Sequence, residues 1–270
     1  MYVPKFCRVA VAIDDLAAFE ADGKSVLGLD FYSPEVDAHF TTFSVAFGEH
    51  GLLAISPNTD VPFIQSKLIE VAIDVENATE SHDKFVAAGY QPIVVNRLPT
   101  PDADEYLFGR EFHNIPFMVC NRGDNEAEAR VQIPSFRELD AAPFPKVTSV
   151  TLAVDDIDAV ASDLSALFDM QFVEGDPQGL GTRALTGRHR VTLVQGGSTL
   201  ASQFEAPLAA VNIGYDDVEA AKDRLEAAGY PVLYQQAMKS GGTAYHFGKA
   251  FHGMPLFIHP SSADAEMIGV

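Results

Sequence analysis

One pattern occurs four times along this chain of 270 residues: an alternating strand, an acidic break and an amphipathic helix. It reads "RVAVAIDDLAAFEA" from Arg8, "EVAIDVENATESHDKFVAAGY" from Glu70, "SVTLAVDDIDAVASDLSALF" from Ser149 and "AVNIGYDDVEAAKDRLEAAGY" from Ala210. Repetition constrains a fold more than local propensity does, because every copy must adopt the same supersecondary unit. Alternation with period two gives each opening strand one apolar face. Asp15, Asp156 and Asp217 stand where a carboxylate accepts hydrogen bonds from the first unpaired N–H groups of a helix. "AAGY" closes the helix in the second and fourth copies, with Gly89 and Gly229 suited to a left-handed C-terminal position. About three short β segments follow each helix, the last being "GLLAIS", "PFMVC", "VTLVQ" and "PLFIH". Each copy is a βαβββ unit, and the expected fold class is α+β.

The copies divide two and two around "NRGDNEAEARVQIPSFRELDAAPFPK", whose acidic start and prolines fit a connection between domains. The expected organisation is an N-terminal domain over 1–125, a linker over 126–144 and a C-terminal domain over 145–262. A net charge of −20 argues against nucleic acid and against an anionic membrane surface. No apolar run reaches the roughly 18 residues of a membrane span. The opening stretch "MYVPKFCRVAVAIDD" reads as a first strand rather than a signal peptide. Two cysteines, Cys7 and Cys120, make no disulfide framework and read as inert small hydrophobes, with a cytoplasmic location as the default.

The strand-plus-acid openings "VTLAVDDIDA" and "VNIGYDDVEA", the "AAGY" helix ends and the closing hairpins resemble the vicinal oxygen chelate superfamily of glyoxalase I, bleomycin-resistance proteins and extradiol dioxygenases. The resemblance covers nearly everything except the linker and the last ten residues. It implies two glyoxalase-like domains in tandem, each a cup built from two βαβββ modules with helices outside. It implies a small-molecule ligand or substrate, and is compatible with a homodimer. The scaffold alone does not choose among isomerases, lyases, dioxygenases and binders.

Strand parity sorts the residues of such cups. Val9, Val11 and Ile13, like Val150, Leu152 and Val154, belong to the helix side. Arg8, Glu70, Ser149, Thr151, Asn212, Arg190 and Thr192 face inward, as do Met118, Cys120, Phe257 and His259. Metal-dependent relatives place His or Glu at the first inward position of strand one and Glu inward on the last strand. The resemblance carries those positions onto Arg8, Glu70 and Met118 in one half, and Ser149, Ala210 and Phe257 in the other. Ala54 and Thr192 fill the last strands of the odd modules. Only Glu70 is an ordinary ligand type, whereas a divalent ion needs at least three converging N, O or S donors. No metal ligand and no cofactor are therefore expected, a divalent metal being the alternative. Arg8 and Glu70 should form an ion pair, either a strut between strands or a guanidinium presented to a substrate carboxylate.

"FGREFHNIPF" from Phe108 and "FGKAFHGMPL" from Phe247 place His113 and His252 in matching turns. Duplication explains the match, and solvent-exposed or turn-stabilising side chains are expected. His39, His50 and His82 read as loop or helix-surface residues, and His189 as semi-buried on the helix side. Extradiol relatives carry an inward tyrosine whose nearest match here is Phe247, with Tyr245 on the same face; His246 would then face away. The expected function is metal-free binding of an aromatic or amphiphilic molecule in the C-terminal cup. Its ligand-binding set is Ser149, Thr151, Arg190, Thr192, Asn212, Tyr245, Phe247 and Phe257, with Arg8 and Glu70 in the other cup. The competing reading is an enzyme with His259 as general base and Arg190 and Asn212 stabilising an enolate or carboxylate. A third is a scaffold whose cups are filled by side chains.

Overall fold

The computed structural model of this chain describes residues 2–31, 45–47, 50–56, 67–97, 104–121, 142–196 and 207–270. His39 and nearly all of the expected linker lie outside the described residues. The first unit comprises β1 (Lys5–Ala12), α1 (Leu16–Asp22) continued by a π-turn (Gly23–Leu27), β2 (Val45–Phe47) and β3 (Leu52–Ile55). The second comprises β4 (Leu68–Asp74), α2 (Ala78–Ala87), β5 (Pro92–Asn96), β6 (Glu105–Phe108) and β7 (Phe117–Cys120). The third runs through β8 (Lys146–Val154), α3 (Ile157–Phe168), β9 (Val173–Glu174), β10 (Ala184–Thr186) and β11 (Val191–Gln195). The fourth has β12 (Leu208–Tyr215), α4 (Val218–Ala227), β13 (Val232–Ala237), β14 (Thr243–Phe247) and β15 (Leu256–Pro260), and α5 (Asp264–Met267) follows it.

Units one and two build a seven-stranded sheet in the order β2-β3-β1-β4-β7-β6-β5. Units three and four build an eight-stranded sheet, β13-β14-β15-β12-β8-β11-β10-β9. In each sheet the two opening strands run antiparallel side by side, and each unit's last strand lies parallel to its own opener. The helix ends follow their local chemistry. Asp15, Asp156 and Asp217 accept from the N–H groups of Ala18, Ala159 and Ala220 at 2.9–3.0 Å, and Asn77 does the same for Glu80. Gly89 and Gly229 take φ of +98° and +84°, where a side chain would be strained.

Of the register shifts between the opening strands, two place extra side chains in the cups. Phe6 pairs with Ile73 and Arg8 with Ala72, leaving Cys7 as an extra residue on β1. On β8, Val147 pairs with Ile213 and Ser149 with Asn212, leaving Thr148 extra. A bulge sends two successive side chains to one face, so Cys7 joins Arg8 and Thr148 joins Ser149 on the concave side.

The helix-side faces of both sheets belong to one hydrophobic core. It contains Val9, Val11 and Ile13 with Val150, Leu152 and Val154, and draws Phe19, Phe85, Leu164, Phe168 and Leu225 from all four long helices. The helices lie on the side away from the cups, and those of one half pack against the other half. The Phe168 ring of α3 sits 5.0 Å from Phe85 and 5.8 Å from Phe117, and Phe19 of α1 sits 5.8 Å from Phe251. Ala54 also belongs to this core, not to a cup.

The matching histidine turns serve this junction. His113 Nε2 lies 2.7 Å from Asp163 of α3, and His252 Nε2 lies 2.8 Å from Asp22 of α1. Each is partly buried and joins the halves, a role beyond the turn-stabilising one expected from duplication. The backbone repeats the symmetry: the Phe6 N–H donates to His189 O at 2.8 Å and the Val147 N–H to His50 O at 2.9 Å. His50 does sit in a turn, as expected of a loop residue, but it is buried at this interface, 6% exposed. His82 does lie on a helix surface, stacked on Tyr106 at 4.3 Å.

Candidate functional site: the C-terminal cup

On the concave face of the second sheet the central strands bring Ser149, Thr151 and Asn212 together. Gln178, from the loop between β9 and β10, closes a directional ring with them. Gln178 Nε2 donates to Asn212 Oδ1 at 2.5 Å, Asn212 Nδ2 donates to Thr151 Oγ1 at 3.1 Å, and the Thr151 hydroxyl donates to Gln178 Oε1 at 2.9 Å. Asn212 also donates to Ser149 Oγ at 2.8 Å. All four are fully buried. Buried amides without partners are costly, and this ring satisfies them internally.

Towards the end of the same strands, His259 Nδ1 meets Pro260 O at 3.0 Å, so that nitrogen carries the proton. Nε2 is then an acceptor, and the Thr148 hydroxyl donates to it at 2.7 Å. Burial lowers the His259 pKa to about 4, which keeps the ring neutral. The one nitrogen able to act as a base is therefore capped by Thr148. Arg190 forks onto both oxygens of Asp264 in α5, at 3.0 Å each, and donates to Thr148 O. Asp264 thus stands where a ligand carboxylate was expected. The Thr192 hydroxyl pairs with Thr186 at 3.1 Å, which in turn donates to Met267 O. Met267 itself is buried on Phe257, Met238, Ala210, Ala244 and Ala263. The C-terminal segment, which lies beyond the family resemblance, is part of this cup.

The β14 parity is opposite to the expectation. Tyr245 pairs with Ile258, belongs to the shared core and donates its hydroxyl to Glu219 of α4 at 2.5 Å. Phe247 is buried in the same core. Both point to the helix layer, so neither lines the cup. His246 does: it pairs with Phe257 across β15 and with Tyr234 on the edge strand β13. Its ring lies 4.3 Å from Phe257 and 6.3 Å from Tyr234. His246 Nε2 is buried with no hydrogen-bond partner among the described residues, and burial lowers the ring's pKa to about 3.

The N-terminal cup carries the expected ion pair. Arg8 Nε lies 2.6 Å from Glu70 Oε1, and a second carboxylate, Glu105, lies 3.5 Å from the guanidinium and accepts from Asn96 at 3.1 Å. Burial raises the Glu70 pKa against the opposing pull of Arg8.

The residues at the positions onto which the resemblance carries metal ligands do not fit a divalent ion. Arg8 and Glu70 are spent on each other, Ser149 accepts from Asn212, and Met118, Ala210 and Phe257 offer no hard donor. Among the described residues no three His, Cys, Asp or Glu side chains converge as ligands. An open groove of about 1170 Å³ lies elsewhere, between α2 and the end of α3, and none of the expected site residues lines it.

Thr148, Gln178, His246, Glu105 and Asp264 escaped the sequence reading. Thr148 needs the bulge, Gln178 and Asp264 lie outside the repeated strands, and Glu105 opens a strand whose register only the sheet sets. His246 was legible as an alternative, since it flanks the two aromatics chosen in its place.

No family model matches the sequence, and no curated protein matches it. Solved structures do share its fold. The Mn(II)-bound glyoxalase from Novosphingobium aromaticivorans is 13% identical, with a TM-score of 0.65 over 95% of this chain and 81% of its own. A mutant 4-hydroxymandelate synthase from Streptomyces coelicolor is 12% identical, with a TM-score of 0.68 over 99% and 97%. The 2,2',3-trihydroxybiphenyl 1,2-dioxygenase from Sphingomonas wittichii strain RW1 is 12% identical, with a TM-score of 0.64 over 96% and 91%.

Proposed function

We propose that this chain, which has the tandem vicinal oxygen chelate fold, binds an aromatic or amphiphilic small molecule in its C-terminal cup without a divalent metal. The supporting observation is His246 Nε2, a buried imidazole nitrogen on the cup face that has no partner among the described residues. Such a group costs about 1–3 kcal/mol while unpaired. A ligand hydroxyl or carboxyl meeting it would recover that energy. Phe257 and Tyr234 lie beside the His246 ring and suit a planar ring stacked or edge-on, a geometry that contributes about 0.5–1.5 kcal/mol beyond area burial. Apolar walls with a few orienting polar groups are the usual make-up of such sites. Entry requires displacing either the Gln178 loop or Met267, both of which now fill the cup with the protein's own atoms.

The enzymatic alternative, with His259 as general base, has less support. Its basic nitrogen would first have to leave Thr148. The test is thermal stabilisation by a panel of catechols, hydroxybenzoates and other aromatic acids, together with mass spectrometry of whatever co-purifies. At least one compound should raise the melting temperature of the wild type and lose that effect in His246→Ala. A flat response across the panel with nothing co-purifying overturns the reading.

A further inference from the structure

The N-terminal cup has a sulfur-rich floor. Cys7 Sγ and Cys120 Sγ lie 3.6 Å apart, both buried. Their S–H groups donate to the carbonyls of Ala72 at 3.5 Å and Ile73 at 3.6 Å. Met118, two residues before Cys120 on the same face of β7, belongs to the same buried cluster with Ala72 and Leu107. Three sulfur side chains therefore share one concave surface. We propose that Cys7, Cys120 and Met118 form a binding site for a soft monovalent cation, copper(I) by its chemistry.

A disulfide is the first competitor. The thiols come from β1 and β7, which are not neighbours, because β4 runs between them. Two strand spacings amount to about 9.5 Å, whereas a disulfide holds its Cα atoms about 4.4–6.8 Å apart. Closing it would pinch the sheet. A cation needs much less movement. With metal–sulfur bonds of about 2.3 Å in a trigonal plane, the sulfurs stand about 4 Å apart, a few tenths of an ångström beyond the 3.6 Å between Cys7 and Cys120. Thiolate and thioether donors together select copper(I) over harder ions. Zinc would want a fourth donor of another kind, and Asp74, the carboxylate paired with Cys120 on the adjacent strand, already accepts from the Tyr2 hydroxyl.

Two thiols release two protons as the ion enters, leaving a complex of net charge −1. Because both thiols must give up their protons to bind the ion, uptake should tighten as pH rises. In the other half the same two slots hold Thr148 and His259, so the sulfur set belongs to the N-terminal cup alone.

The test is anaerobic titration of the reduced full-length protein with copper(I) against bicinchoninate, followed by desalting and metal analysis. Wild type should retain one copper per chain and show thiolate-to-metal absorption in the ultraviolet. Cys7→Ala and Cys120→Ala should abolish retention. Met118→Leu, which preserves packing, should weaken it by about 10-fold. Failure of the wild type to retain copper overturns the site. So does retention unchanged in Met118→Leu and in a folded double cysteine variant, since that would place the ion on surface histidines.

Discussion

Asp163 on the third-unit helix accepts from His113 of the second-unit hairpin at 2.7 Å, across the junction between the two sheets. Asp22 stands in the same relation to His252. Both pairs are partly exposed, so each should contribute about 0.2–1 kcal/mol. His113→Ala and His252→Ala should each lower the melting temperature by about 1–3 °C, at about 2–4 °C per kcal/mol for a chain of this size. The two pairs share no partner, so calorimetry on the double variant should show an additive loss. A loss well beyond the sum would mean the halves open cooperatively there.

Mild acid should destabilise the fold steeply. Burial lowers His50, His189 and His259 to about 4 and His246 to about 3. The unfolded chain takes up protons near 6.5 and the folded chain only below about 4, so between those values the unfolded state binds more. The stability present above pH 6.5 is therefore lost as pH falls towards 4, by up to about 1.4 kcal/mol per pH unit for each histidine. Melting temperatures measured from pH 7.5 to 5 should fall, and less so in His246→Gln. A flat profile would contradict the burial of these rings.

Glu70 should act with the opposite sign. Its folded pKa is raised above 4.5, chiefly by burial, so the folded state holds the proton more tightly. That contribution is fully present below pH 4.5 and is lost as pH rises through the folded value. Glu70→Gln should remove this part of the pH dependence, visible as a difference between the variant and wild-type melting curves. Arg8→Met should be more damaging, by about 3–5 kcal/mol in denaturant titrations, because it strands two buried carboxylates.

Gln178→Ala breaks the hydrogen-bonded ring and leaves Asn212 Oδ1 without its donor. A loss of about 1–3 kcal/mol is expected from urea unfolding. The same variant should bind small aromatic ligands more readily than wild type, since it clears the floor of the C-terminal cup. Weaker binding would make Gln178 part of the recognition surface instead.

The four units, their helix caps and the inward positions of the opening strands were readable because short-range rules govern them. An N-cap carboxylate three residues from its target needs no tertiary context. Tyr245 and Phe247 were misplaced because β14 takes its phase from the hairpin to β15, and one residue of register inverts every side chain. Thr148 and Cys7 were hidden by bulges that parity counting cannot detect. The shared core was illegible for another reason: an apolar helix face looks the same whether it meets its own sheet or a neighbouring one.

That shared core has a consequence for how the chain could be cut. Phe168 and Phe19 fill spaces that belong to the opposite half, so neither half alone could keep its helix layer dry. Severed in the connector, the two fragments should each precipitate when produced separately and reassemble when produced together. The covalent link then serves mainly to hold the local concentration of two mutually dependent partners high.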